Sequence, residues 1–145
     1  MIEPPQDGSY LKTIQKRINK TILKPAIRSL PDNVIGGREG YCVKDNAMIH
    51  ARSRAFMKFD FKDYFPSIKY EIVFGIFRYD LHFCEESANI LALLTTYRRH
   101  LPQGAPTSTS IAILASKKMH QQLKELGEQE GFNSSAWIDD LAISS

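Results

Sequence analysis

Three aspartates set among large apolar side chains are the residues of this sequence best suited to chemistry. Asp60 stands in the run Phe56-Met57-Lys58-Phe59-Asp60-Phe61, and the pair Asp139-Asp140 interrupts Trp137-Ile138-Asp139-Asp140-Leu141. A carboxylate withdrawn from water without a partner is destabilised by roughly several kcal/mol or more, so such frames ask for a cation. Two Mg2+ ions held ~3.5–4 Å apart by a few carboxylates clamp the attacking and leaving oxygens of an in-line phosphoryl transfer. The three aspartates therefore point to nucleotidyl transfer. Each also has a plain reading, Asp60 as an exposed strand residue and Asp139-Asp140 as an ordinary turn, where Asp is common.

The elements that must position them follow from periodicity. Around Asp60, period two places Met57, Phe59 and Phe61 on one face of a strand and Phe56, Lys58 and Asp60 on the other, so the carboxylate leaves the purely apolar side. Residues 135–145 read as strand, tight Asp-Asp turn, strand. Upstream, Leu11, Ile14, Ile18, Ile22 and Ala26 recur at helical spacing among Lys12, Lys16, Arg17, Lys20 and Lys24, a basic amphipathic helix that Pro25 kinks or ends. Residues 29–40 are loop by their Gly, Pro and Asn content, and a short helix follows from about Asp45 to Arg52. Ser67 suits the cap of a helix from about Lys69 to Tyr79. A second helix, about Glu85 to Arg99, has Ile90, Leu94 and Tyr97 as its stripe. After Leu101-Pro102-Gln103-Gly104-Ala105-Pro106 a longer helix runs to about Glu130, with Ile111, Leu114, Met119, Leu123 and Leu126 on its apolar side and Gly131 at its end.

Charge is uneven along the chain. The net charge is only +3, but residues 11–62 carry 12 Lys/Arg against 4 Asp/Glu, while residues 63–145 carry 7 against 10. The basic half is either a polyanion-facing surface or a set of solvated helix faces. At 145 residues the chain is one domain's worth. It holds no apolar run near the ~20 residues of a membrane span, and its acidic, proline-rich start, Met1-Ile2-Glu3-Pro4-Pro5, is no secretory signal. Cys42 and Cys84 lack metal-ligand spacing, which fits free thiols in a reducing cytoplasm.

With the strand-borne Asp60, the Leu101-Pro102-Gln103-Gly104 turn and the Asp139-Asp140 hairpin in that order, the chain resembles the reverse transcriptases. Residues 59–68 look like their first palm motif, 101–108 like the second and 137–141 like the third. Asn46-Ala47-Met48-Ile49-His50 is similar to the Asn-Ala-x-x-His element of bacterial retron enzymes. The resemblance implies an α+β fold: part of a right-hand polymerase palm over residues 55–145, an antiparallel sheet with helices on one face, plus a basic, helical part of the fingers over residues 1–54. The sequence stops just after the Asp-Asp hairpin, so a piece of a longer polypeptide is expected, inactive by itself.

The same resemblance implies roles. Asp60, the Phe61 carbonyl, Asp139 and Asp140 would hold two Mg2+ ions, with Mn2+ as an alternative. The amides of Asp63 and Tyr64 would approach the triphosphate, and Phe65 would leave no room for a 2′-hydroxyl, although without the family it is simply core. Gln103 and Gly104 would hold the nucleotide and templating base, or form a plain turn between helices. Lys12, Lys16, Arg17, Arg52 and Arg54 are candidates for template phosphates, and Trp137, where the family usually has Tyr, would stack near a primer end. Thr109 and Ile113 depart from the Pro and Asn common there. His50 is expected to be a hydrogen-bonded packing residue. The implied activity is RNA-templated DNA synthesis from a primer strand and deoxynucleoside triphosphates, with a structured non-coding RNA as a further partner. A group II intron-like enzyme, an antiviral-defence enzyme and a non-catalytic nucleic-acid-binding palm module are the alternatives. Intact Asp60, Asp139 and Asp140 speak against the last, because negative charge beside phosphates weakens a binder.

Overall fold

The structure, a computed structural model, describes residues 10–145. It is α+β and divides into two compact units that interleave in sequence: Met1–Ile27 with Asp63–Ala115, and Arg28–Lys62 with Ser116–Ser145. Among the described residues no helix is long and apolar enough to cross a membrane.

The first unit is helical. Helix α1 (Tyr10–Ile18) passes through a π-helical turn (Asn19–Leu23) into α2 (Lys24–Arg28). Pro25 thus neither ends the helix nor stands unprepared. It has no N–H to donate, and the wider turn just before it, closed by Lys24 N–H on the Asn19 carbonyl, absorbs the mismatch. The extra residue also rotates the apolar stripe. Downstream of the turn Leu23 and Ile27 are buried in place of the expected Ile22 and Ala26; upstream of it Gln15 and Ile18 are buried, while Leu11 and Ile14 are exposed.

Downstream lie α4 (Tyr64–Ser67) and α5 (Tyr70–Gly75), the latter running into a second π-helical turn (Ile76–Asp80). Lys69, not Ser67, occupies the cap position of α5; Ser67 closes α4, its hydroxyl donating to the Tyr64 carbonyl at 2.6 Å. Helix α6 (Glu85–Thr95) stops earlier than its stripe suggests: the backbone turns extended at Thr96 (φ −114°, ψ 157°), and the Thr95 and Thr96 hydroxyls donate to the carbonyls of Leu91 and Ala92. Its buried face is Ala88, Ala92 and Thr95, whose small side chains let α5 pack closely, and Ile90 is left exposed. Helix α7 (Ser108–Ala115) completes the unit, whose interior is filled by Leu23, Val73, Phe77, Leu101, Ile111 and Ile113.

The second unit holds α3 (Val43–Ile49), β1 (Phe56–Asp60), α8 (Lys117–Glu130), β2 (Asn133–Trp137) and β3 (Asp140–Ser144). The single long helix expected after Pro106 is therefore two, broken at Ser116, whose hydroxyl pairs with His120 Nε2 at 2.9 Å. The strands form an antiparallel sheet in the order β1-β3-β2, with α3 and α8 packed against β2. The outer edge of β2 is covered by residues 33–36: Ala136 N–H donates to the Asn33 carbonyl at 2.8 Å, and Ile35 N–H to the Ala136 carbonyl at 2.9 Å. At the opposite edge β1 is exposed along its whole length. Met119, Leu123 and Leu126 of α8 line an apolar groove with Phe59, Phe61, Leu141 and Ile143, so the period-two reading of β1 holds. Cys42 and Cys84 are free and exposed.

Candidate active site

Strand β1 brings Asp60 to the sheet, and the register places it directly opposite Asp140 of β3. The hairpin joining β2 to β3 pairs Trp137 with Asp140, which leaves Ile138 and Asp139 as its two turn residues. The turn is thus one residue earlier than an Asp-Asp turn, and Asp140 already belongs to a strand. Two-residue hairpins need a positive φ at their first central residue, and Ile138 supplies it at φ 62°. For a β-branched residue this backbone is strained by about 1–3 kcal/mol. The Phe61 amide donates to the Asp139 carbonyl at 3.3 Å and ties the end of β1 to the turn. Asp60, Phe61, Asp139, Asp140 and Trp137 are therefore brought together.

Behind the turn sits Gly36, a residue that sequence reasoning left within a loop. A Cβ there would meet Ile138 N at 2.6 Å and Trp137 Cα at 2.7 Å. Only glycine lets the two backbones approach this closely. The Gly36-Gly37 pair was the available signal, but it resembled any loop.

Lys58, on the same face of β1 as Asp60, belongs to the site as well. Its Nζ lies 2.9 Å from Asp140 Oδ1, and its pKa is raised, first by that hydrogen bond and then by the charges of Asp140, Asp60 and Asp139. The three aspartates present only oxygen donors, the set that hard divalent cations prefer, so their chemistry suits Mg2+. Among the described residues no three acidic, His or Cys side chains converge as a ready-made metal cage.

Below the carboxylates, His50 pairs with Ser144 Oγ through Nδ1 at 2.6 Å and with Ser135 Oγ through Nε2 at 2.7 Å, while Ser53 donates to Ser144 at 2.8 Å. Burial pushes the His50 pKa down, and its ring meets Phe56 edge-on at 5.4 Å. His50 is the packing residue expected, and its partners show what it packs: β2 and β3, the strands that carry the turn. Arg54 lies beside this network and its amide donates to the Ser145 carbonyl at 2.7 Å; its side chain and that of Arg52 are exposed.

The other candidates belong to the helical unit. Asp63 has φ 52° and opens α4, accepting the Ser67 amide at 2.9 Å. Tyr64 is held by its hydroxyl on the Ala112 carbonyl at 2.7 Å, and Phe65 is half-buried with its ring edge-on to Tyr64. Gln103 and Gly104 form an exposed turn with Gly104 at φ 81°. The turn is anchored by buried Leu101, whose amide donates to the Ile68 carbonyl at 2.9 Å, and by Ser108, whose hydroxyl donates to the Pro102 carbonyl. The stretches of residues 63–68 and 101–108 are thus joined. Lys16 and Arg17 are exposed on α1, with Lys12 half-buried on the same helix.

Residues 8–145 match the reverse transcriptase (RNA-dependent DNA polymerase) family. Among curated proteins, the chain is 29% identical over 139 residues to the retron Ec86 reverse transcriptase of Escherichia coli, an alignment covering 96% of this chain and 42% of that protein. It is 32% identical over 135 residues to the retron Se72 reverse transcriptase of Salmonella heidelberg (strain 579083-10), covering 93% and 35% respectively. With the retron Mx162 reverse transcriptase of Myxococcus xanthus it shares 30% identity over 169 aligned residues, covering 97% and 34%. The chain therefore spans 34% to 42% of the length of these relatives.

Proposed function

Since the chain belongs to the reverse transcriptase family, we propose that it carries the nucleotidyl-transfer site of a retron-like RNA-directed DNA polymerase. In this reading residues 55–145 are part of a right-hand palm with helices behind its sheet, and residues 1–54 are a basic part of the fingers. These functional names follow chain order, whereas the compact units interleave. The observation that carries the reading is the cross-strand pairing of Asp60 with Asp140, with Asp139 in the adjoining turn. Like charges directly opposite each other destabilise a sheet, and a shared cation offsets that cost.

Asp60, Asp139, Asp140 and the Phe61 carbonyl would hold two Mg2+ or Mn2+ ions. When bound, these supply activation of the primer hydroxyl and neutralisation of the charge that develops on the phosphoryl oxygens. The primer hydroxyl attacks the α-phosphate of a deoxynucleoside triphosphate and pyrophosphate leaves. The Asp63 and Tyr64 amides, at a left-handed residue leading into helical backbone, form a concavity suited to the triphosphate. Phe65 occupies the volume that a 2′-hydroxyl would need, and Gln103 with Gly104 orients the nucleotide against the templating base. Trp137, opposite Asp140, offers a broad ring to the primer end. Lys12, Lys16, Arg17, Arg52 and Arg54 hold RNA through phosphates, including a structured non-coding RNA, in the cytoplasm.

The test is primer extension by the full-length protein on an RNA template with Mg2+. Asp60→Asn and Asp139→Asn should each lower the rate about a thousandfold or more, the several kcal/mol that the cation site contributes. RNA affinity should stay within a few-fold, because the basic surface is untouched. Near-normal extension by either variant overturns the assignment.

A further inference from the structure

The sheet unit confronts two carboxylates with no spacing between them: Asp60 and Asp140 are direct cross-strand partners. In an antiparallel pair the diagonal neighbour lies ~7–8 Å away and remains within reach of a long side chain. Lys58 partners Ala142, so it is the diagonal neighbour of Asp140, and period two puts it on the same face as Asp60. Its Nζ is 2.9 Å from Asp140 Oδ1. The Lys58 side chain is 57% exposed and that of Asp140 35%, so ions in solution reach the pair directly.

We propose that Lys58 is a tethered counter-cation of the carboxylate site: it neutralises Asp140 when no divalent ion is bound, and an incoming divalent ion must displace it. Lys58 thereby sets the concentration of divalent cation at which the site fills. The inference rests on reading Asp60, Asp139 and Asp140 as a cation site. Three ionised carboxylates and one ammonium present two net negative charges to an approaching ion, and without the ammonium they present three. The added attraction is moderated by solvent around so exposed a pair. Lys58 also keeps two opposed carboxylates compatible with the sheet in the absence of metal, and its flexible stem lets the ammonium withdraw without any backbone movement.

The experiment is binding of Mn2+ alone, followed by electron paramagnetic resonance, to the full-length protein without nucleic acid or nucleotide. Lys58→Met should tighten Mn2+ binding by about two- to fivefold, the range that an exposed ion pair of this kind supports. Lys58→Arg, which retains the charge, should stay close to wild type. Without divalent ion, Lys58→Met should melt at a lower temperature than wild type, and its melting temperature should rise more when Mn2+ is added. Mn2+ affinity unchanged or weakened in Lys58→Met overturns the proposal while leaving the cation site intact. If wild-type protein binds no Mn2+ that Asp60→Asn removes, the reading of the carboxylates fails and the proposal falls with it.

Discussion

The two units of this chain are built on different chemistry. In the helical unit the interior is dominated by Leu23, Ile68, Val73, Phe77, Leu101, Ile111, Ile113 and Leu114. In the sheet unit the buried apolar residues are Val34, Ile35, Ala136, Leu141 and Ala142, and beside them Asn33, His120, Ser134, Ser135 and Ser144 are buried as well. Asn33 Nδ2 donates to the His120 carbonyl at 3.2 Å and to Ser134 Oγ at 3.1 Å, and the serines of β2 and β3 are bridged by His50. One unit, although it buries Gln15, Thr95, Thr107, Ser108 and Ser110 as well, is held mainly by a larger apolar interior, whose burial is non-directional and tolerates small shifts. The other is held by hydrogen bonds, which fix positions but fail when one partner is lost. A unit that must present carboxylates in a defined register gains more from directional contacts.

The largest effect expected of this difference lies in the helical unit. Phe77→Ala empties a fully buried site and should destabilise that unit by about 3–5 kcal/mol. Hydrogen exchange read amide by amide checks it: protection should fall in α5, α6 and α7, with β2 and β3 retaining theirs. Equal loss in the strands would mean that the two units open together, and the comparison would break.

A second effect belongs to the sheet unit alone. Burial pushes the His120 pKa from 6.5 to about 4, and the residue is 2% exposed. The native state therefore holds the ring neutral while the unfolded chain takes up the proton first. The stabilisation is complete above about pH 6.5 and is lost as the pH falls through about 4, amounting to up to about 3 kcal/mol. Denaturant unfolding followed through the strands between pH 7 and 4 should reveal it, and His120→Leu should reduce the slope, leaving the part contributed by His50, whose pKa burial also lowers. A slope undiminished in His120→Leu assigns it to other groups.

Gly36→Ala should have the smallest effect on stability, about 1–3 kcal/mol for a Cβ forced against backbone, and a larger one on activity. The displaced turn carries Asp139, and a misplacement of roughly 1 Å is enough to lower a rate about a hundredfold. Comparing the melting temperature with the primer-extension rate separates the two. If both are unchanged, the close approach of residue 36 to the Trp137-Ile138 peptide has no bearing on the site.

Much of this molecule was determined locally and is legible in the sequence. The alternation in residues 56–61 put Lys58 and Asp60 on one face and Phe59 on the other, because side-chain direction along a strand depends only on parity. The ordered aspartates and the Gln103-Gly104 turn identified the family for the same reason: residue type and spacing are properties of the chain itself. What tertiary structure alone decided is every relation that crosses the chain. Asp60 and Asp140 stand 80 positions apart in sequence and become neighbours through strand register. Lys58 finds Asp140 by the same register, and Gly36 is needed only because residues 33–36 lie along β2. The π-helical turn before Pro25 moved burial from Ile22 and Ala26 to Leu23 and Ile27, and Ser116 divided an apolar pattern that looked continuous. Periodicity reports which face of an element is apolar; which element covers that face, and in what register, is settled by packing between segments that the sequence holds far apart.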